Sequence, residues 1–332
     1  MKYRHSDHDT ELSEEEFRLL RDFVHERFGL YYDESQRATL RARLAPRLDL
    51  LGLSTYEDYH RYLRFAPDRE QEQQRMVSHL TNNETYFFRE QPQLDVFAGH
   101  VLRALKERKT KTGEKRLAVV SAGCSTGEEP LTLAMILFDS GQFFWGWDLR
   151  VTGLDVDEAA LEKARRAVYH PGSLRAVTPT LLERHVTKDG TGVRVKESAR
   201  RSVSFKRGNL LEAVSYEGLR PLDVVFCRNV LIYFSDGAVQ RAVSLFHQVL
   251  APGGYLFLGH AESLARVSSG FVPIRFQGAI VYQKPEEAAS RATGSACWWS
   301  TTRRGRGTGS PRAPAPGGTG SPRVAPPRPR SR

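Results

Sequence analysis

Residues 117–138, LAVVSAGCSTGEEPLTLAMILF, decide the fold. The first seven form an apolar run, too short for a helix and long enough for a strand buried on both faces. A turn follows in which Gly123 and Gly127 let the backbone approach a ligand closely, and Pro130 suits the first turn of the helix after it. Working outward, LRVTGLDV (149–156) reads as a second strand and DEAALEKARRAVY (157–169) as a second helix. VSFKRGNLL, LDVVFCRNVLIYF, a helix over 236–250, GGYLFLGH and AIVYQK continue the alternation to residue 284. Strands alternating with helices predict parallel pairing and right-handed crossovers, hence a Rossmann-like, doubly wound α/β sheet over residues 116–285. Within it, TKDGTGVRVKESARRS (187–202) breaks the rhythm with turn residues and short alternating runs, the pattern of a small β insertion.

Before the sheet the periodicity is helical. Ser13 and Glu16 form a capping box ahead of Phe17, Leu20, Val24 and Phe28, which predicts a helix over 13–28. A second helix begins near Glu34, carries Leu40, Leu44 and Leu48, and should stop at Gly52; Pro46 should kink or shorten it. Ser54 and Glu57 read as the next capping box, followed by helices near 69–80 and 91–109. Residues 1–80 are therefore expected to be a small all-helical domain, with 81–115 a linker and connecting helix. The other end, 286–332, is rich in Pro, Gly, Ser, Thr and Arg and should be a disordered tail.

The net charge of +10 invites a nucleic-acid reading. However, 286–332 holds nine arginines against two glutamates, and removing that +7 leaves only +3 on residues 1–285. The body thus lacks the basic stripe a nucleic-acid binder needs. No stretch approaches the length of a membrane span, and MKYRHSDHDT has no apolar signal core, so a cytoplasmic protein that is not membrane-inserted is expected. Cys124, Cys227 and Cys297 have neither disulfide nor metal-ligand spacing and read as free thiols, with no metal site.

In a doubly wound sheet the ligand sits beyond the carboxyl ends of the strands. After the first strand comes AGCSTGEEP (122–130), which has Ser125 where a dinucleotide loop would have its middle glycine and ends in Glu128 and Glu129. Two carboxylates at a helix start repel a pyrophosphate and favour a cationic ligand without phosphate, a description that S-adenosylmethionine meets; which of the two would touch it is open. Asp155, closing the second strand, could accept from both ribose hydroxyls, with Asp157 the competing helix cap. Asn209 and Leu210 follow the third strand and offer an amide and an apolar face to an adenine ring. Arg228 and Asn229 interrupt the apolar fourth strand where burial without partners would be costly, so they must pair or face a cleft. Tyr233 can turn its hydroxyl to the same cavity. Ahead of the sheet, TNNETYFFRE (81–90) sets three aromatics among Asn83, Thr85 and Arg89.

Taken together and in order, TNNETYFFRE, AGCSTGEEP, Asp155, GNLL, FCRNVLIYF and GHAES (259–263) resemble the CheR-type chemotaxis receptor methyltransferases. The resemblance implies methyl transfer from S-adenosylmethionine to glutamate side chains in the cytoplasmic methylation region of chemotaxis receptors, giving methyl esters and S-adenosylhomocysteine, by a monomer. It also implies that Asn83, Thr85 and Arg89 meet cofactor or substrate, that Gly123 and Glu128 or Glu129 meet the methionine moiety, and that Asp155 holds the ribose. Asn209 and Leu210 would cradle adenine, Arg228 and Asn229 would complete the pocket, and Arg89 and Tyr233 would stand at the departing methyl group. Arg37, Arg41, Arg43 and Arg47 correspond to the family's receptor-gripping basic helix. A methyltransferase with another substrate, or a non-catalytic binding module on the same fold, are the competing readings.

Overall fold

Ser13 starts the first helix as its capping box predicts: its Oγ accepts from the Glu16 amide at 3.3 Å while the Glu16 carboxylate accepts from the Ser13 amide at 3.0 Å. In the computed structural model, which describes residues 11–286 apart from Phe144, Arg220 and Ser268, this helix is α1 (Glu14–Phe28), ended by Gly29 in the left-handed conformation. The tail expectation and Cys297 lie outside the described residues. Three helices follow: α2 (Arg37–Leu51), α3 (Tyr56–Phe65) and α4 (Arg69–Leu80). Phe17, Leu20, Leu40, Leu44, Tyr59 and Met76 pack at their centre, all inaccessible to solvent.

Three expectations change in this domain. Pro46 lies inside α2 without shortening it, since the helix runs on to Leu51 and is capped by Gly52. Burial of Leu44 and Leu48 on either side outweighs the one backbone bond that a proline forfeits. The cap of α3 is Thr55, not Ser54: its Oγ1 accepts from the Asp58 amide at 3.1 Å, and the Tyr56 and Glu57 amides bond the Glu16 carboxylate of α1. Arg47 faces inward. It is only 7 % exposed and bonds Glu72, itself fully buried, at 2.8 Å through Nε and 2.5 Å through Nη2, with the Tyr59 hydroxyl donating to the same carboxylate at 2.9 Å. It ties α2 to α4 and is unavailable to a partner, because it is buried beside Leu44 with its guanidinium on Glu72. Arg43 donates to the Leu80 carbonyl and is half-buried, whereas Arg37 is exposed.

The connecting helix is α5 (Gln91–Val96) and α6 (Leu102–Thr112), joined by a π turn at Phe97–Val101. The α/β part then runs β1 (Arg116–Ala122), α7 (Glu128–Asp139), β2 (Asp148–Asp155), α8 (Glu158–Arg166), β3 (Val168–Tyr169), α9 (Pro179–His185), β4 (Val186–Asp189), β5 (Gly192–Val195), α10 (Glu197–Arg200) and β6 (Val203–Arg207). It finishes with β7 (Leu222–Cys227), α11 (Asp236–Val249), β8 (Leu250–Leu258), β9 (Val272–Phe276) and β10 (Ala279–Gln283). Seven strands form one sheet in the order β6-β2-β1-β7-β8-β10-β9. The first five are mutually parallel, as predicted, and β10 and β9 are antiparallel, so the sheet is mixed. β9 was not read from the sequence; Pro273 within it fits its place at the sheet edge. Alternate residues of the central strands enter two cores, Val119, Val151, Phe226 and Phe257 on one face and Val120, Leu154, Cys227 and Leu258 on the other. The β insertion is a separate three-stranded sheet, β3-β5-β4, that starts earlier than expected, at Val168, and the end of the predicted stretch is helical in α10.

Candidate active site

Strand order reverses between β1 and β7, and the loops leaving these two strands diverge to open a crevice at their carboxyl ends. The cavity there is lined by Asn83, Thr85, Arg89, Gly123, Glu129, Asp155, Asn209, Leu210, Arg228, Asn229 and Tyr233, which the sequence had singled out. Glu128 is the exception among the expected cofactor residues. It is 3 % exposed, takes the Thr126 hydroxyl at 2.6 Å and bonds Ser173, and burial pushes its carboxyl up. Consecutive residues at a helix start point about 100° apart, so only one of the two glutamates can face the crevice.

The loop itself is shaped for close approach. Gly123 has φ of 77°, and a Cβ there would stand 2.4 Å from Val230, so the chain leaving β7 can close against β1 only over a glycine. Ser125 is left-handed too, at φ 49°, a costly conformation for a serine that its surroundings enforce. Its amide donates to Asp155 at 2.7 Å and its hydroxyl to the Asn83 side chain at 2.9 Å. The second Asp155 oxygen accepts from the Asp157 amide at 2.9 Å. Burial, only partly offset by the Asp157 and Ser125 amides, pushes the Asp155 carboxyl up to about 6. Asp157 is indeed the α8 cap, and its carboxylate also receives Ser78 at 2.5 Å and Asn83 at 2.8 Å. The two aspartates thus divide the labour, one aimed at the cavity and one fastening the 78–83 segment beside it.

On the β7 side, Arg228 is 7 % exposed and satisfied: Nε bonds Glu129 at 2.7 Å and Nη1 donates to the Arg89 carbonyl at 2.8 Å. Glu129 also accepts from Ser121 at 2.7 Å. Asn229, at φ 60°, donates to Glu90 at 3.1 Å. Two acids missed by the sequence reading organise this end. Glu262, within GHAES, accepts from the amides of Gly259, Asn229, Val230 and Ile232 at 2.6, 2.9, 2.9 and 3.2 Å, fixing the loop after β7. Glu90 takes His260 at 2.9 Å and Asn229; burial would raise its pKa, but those bonds and the Arg228 charge outweigh it and lower it. The only sequence signal for either was an acid among turn residues.

The helical domain also closes the cavity, which the sequence did not foretell. Phe28, Leu30 and Leu80 form its apolar wall with Val156, Leu210 and Phe234. Leu30 bridges Phe234, the Tyr31 amide donates to the Tyr233 carbonyl at 2.8 Å, and Asn209 donates to the Arg27 carbonyl at 2.8 Å. Asn209 therefore spends its amide on the end of α1, while Leu210 belongs to the apolar wall. Tyr233, 39 % exposed, receives the Asn82 amide at 3.1 Å, and Arg89 donates to the Glu84 carbonyl at 3.0 Å.

These residues fit S-adenosylmethionine. Asp155 keeps one lone pair on each oxygen for a diol, Glu129 offers a carboxylate and the wall is apolar; among the described lining residues the basic ones are Arg89 and Arg228, both bonded within the protein. Among the described residues no group of His, Cys, Asp and Glu is placed to hold a metal, and no helix is long and apolar enough to cross a membrane.

Comparison with known proteins gives the same answer from sequence. Residues 83–278 match the family described as CheR methyltransferase, SAM binding domain, and residues 15–81 its all-alpha domain. Chemotaxis protein methyltransferase 2 of Vibrio cholerae is 33% identical over 280 residues, covering 84% of this chain and 96% of the relative. Chemotaxis protein methyltransferase of Escherichia coli is 36% identical over 279 residues, 82% of this chain and 91% of the relative. "Probable biofilm formation methyltransferase WspC" of Pseudomonas aeruginosa is 32% identical over 263 residues, 79% of this chain and 60% of that protein. With a sulfonium-compatible crevice at the switch point and both halves matched, the chain belongs to the CheR methyltransferase family and is an S-adenosylmethionine-dependent methyltransferase.

Proposed function

We propose that the chain works in the cytoplasm as a monomer and esterifies glutamate side chains in the methylation region of chemotaxis receptors. The observation that carries this reading is the meeting of Arg89 and Tyr233, from segments far apart in sequence, on the cavity that also holds Asp155 and Glu129. A glutamate with a pKa near 4.3 is ionised at neutral pH, so no general base is required. S-adenosylmethionine, when bound, supplies an electrophilic methyl group and leaves as S-adenosylhomocysteine. Asp155 binds the ribose, Leu210 the adenine face and Glu129 the methionine end, while Asn83 and Thr85 line the approach. Arg89 holds one oxygen of the substrate carboxylate in a charge-assisted contact and leaves the other free to attack; Tyr233 steadies the geometry.

The receptor grip falls to Arg37, with the partly buried Arg41 and Arg43 beside it on α2. The relative named for biofilm formation supports one second reading, in which the receptor belongs to another chemosensory system. The test incubates the protein with methyl-labelled S-adenosylmethionine and candidate receptor cytoplasmic fragments. Alkali-labile label on the receptor is expected; base-stable label points to another substrate, and none at all to a binding module. Within that assay Arg89→Ala should lower turnover about tenfold or more with cofactor binding kept, since orientation of the carboxylate is its whole task. Near-normal turnover would overturn the role.

A further inference from the structure

Arg89 sits in an unusual turn. Its neighbours Phe88 and Glu90 both have positive φ, 58° and 59°, without being glycine. Two left-handed residues around one side chain hold their shape only where the surroundings over-determine it. Inner braces are visible: the Phe88 amide donates to Thr132 Oγ1 at 3.2 Å, the Phe87 amide donates to the Ser173 carbonyl at 3.0 Å, and the Phe87 ring stands edge-on to Tyr169 at 4.9 Å. Two of these three come from β3 and the segment that joins it to α9.

That segment carries Arg175, just after a single helical turn at Pro171–Leu174; no motif drew attention to this arginine. Its guanidinium carbon lies 3.7 Å from the centroid of the Tyr86 ring, and Nη2 is 3.5 Å from the Glu84 carboxylate. Arg89 uses the same two residues: its Nη1 bonds the Glu84 carbonyl at 3.0 Å and its guanidinium carbon is 5.8 Å from the same Tyr86 centroid. Arg175 and Arg89 thus share Glu84 and Tyr86. Stacking at a half-exposed ring and an exposed ion pair each contribute little to stability. Their effect lies in restricting Tyr86 and Glu84, against which a long, rotamer-rich arginine takes its position.

We propose that Arg175 is a positioning residue for the methyl-transfer site, acting on Arg89 through Tyr86 and Glu84 from the base of the β insertion. The inference rests on the reading of Arg89 as the group that orients the substrate carboxylate. It assigns Arg175 no contact with substrate or cofactor.

The experiment is a double-mutant cycle read in turnover on a receptor fragment, in cofactor Kd and in Tm. Arg175→Ala is expected to lower receptor kcat/KM about tenfold, because small misplacements of an orienting group are costly, while leaving cofactor Kd within about twofold. In an Arg89→Ala background the same change should have no further effect, since there is nothing left to position. Arg175→Lys keeps the charge near Glu84 and should recover part of the loss. Full multiplication of the two single effects would overturn the proposal and make Arg175 an independent contact. Unchanged turnover in Arg175→Ala, or a parallel loss of cofactor affinity and Tm, would also overturn it. Normal turnover in Arg89→Ala alone would instead sink the reading of Arg89, so the two failures are told apart.

Discussion

The loop after β1 and the arginine-bearing helix α2 both present charges at regular spacing, yet the structure treats them in opposite ways. Where that loop enters α7, Glu128 and Glu129 split between interior and cavity, and the one that reaches the cavity is held by Ser121 and Arg228. On α2 the arginine four residues past Arg43 turns into the core and pairs with Glu72, while Arg37 stays in solvent. Charge spacing along a helix names a face, but which face is outward depends on the apolar residues that share it. Leu40, Leu44 and Leu48 are all buried, and Arg47, three positions past Leu44, flanks their sector.

The sharpest way to break this comparison is Arg47→Ala. Removing one partner of a buried ion pair strands Glu72 and should cost about 3–5 kcal/mol, whereas Arg37→Ala should stay within about 0.5 kcal/mol. Thermal or urea unfolding of the two variants reads the difference; equal stabilities would return Arg47 to the surface.

Asp155→Ala comes next. Loss of hydrogen bonds to a charged acceptor is worth about 1.5–3 kcal/mol each, so cofactor Kd should rise about a hundredfold by calorimetry. The same carboxyl gives a pH signature. Its folded pKa is raised, to about 6, so the ionised form that receives the diol is depleted below that value. Affinity should fall about tenfold per pH unit under pH 6, and stay flat above it. For the free protein the sign is reversed: the buried charge costs stability above about 6, and that cost disappears as the pH falls toward the ordinary aspartate value.

At the start of α7, Glu129→Gln should weaken cofactor binding about tenfold by loosening Arg228, and Glu128→Gln less than about threefold, because Glu128 is buried away from the cavity. Equal effects would mean that both face the cavity. The one change expected to add stability is Pro46→Ala, which restores an amide inside α2 and should stabilise the protein by about 1–2 kcal/mol, less than the full penalty of an interior proline because the native helix has already adapted. A stability loss would show that Pro46 is needed where it is.

Much of the site was legible because its residues follow strands at fixed places. Gly123, Asn209 and Arg228 come just after β1, β6 and β7 and Asp155 closes β2, and a parallel sheet gathers such positions at one edge whatever lies between. Even there, residue type did not give the bond: Asn209 lines the cavity but commits its amide to Arg27, and Asn83 to Asp157. Glu90 and Glu262 were unreadable as scaffold because their partners lie far along the chain, His260 for one and the loop after β7 for the other.

By itself, then, the sequence determined the element types, the parallel core of the sheet, the glycine at position 123 and the positions from which the cavity is lined. These depend on periodicity and on backbone conformations that only certain residues tolerate, both local properties. The tertiary structure alone decided which of two adjacent glutamates faces the cavity, which arginine of α2 is buried, that α1 closes the crevice, and that Arg175 meets Arg89 over a shared tyrosine. Each of these depends on the direction of a side chain relative to an element distant in sequence, and that direction is fixed only when the elements pack.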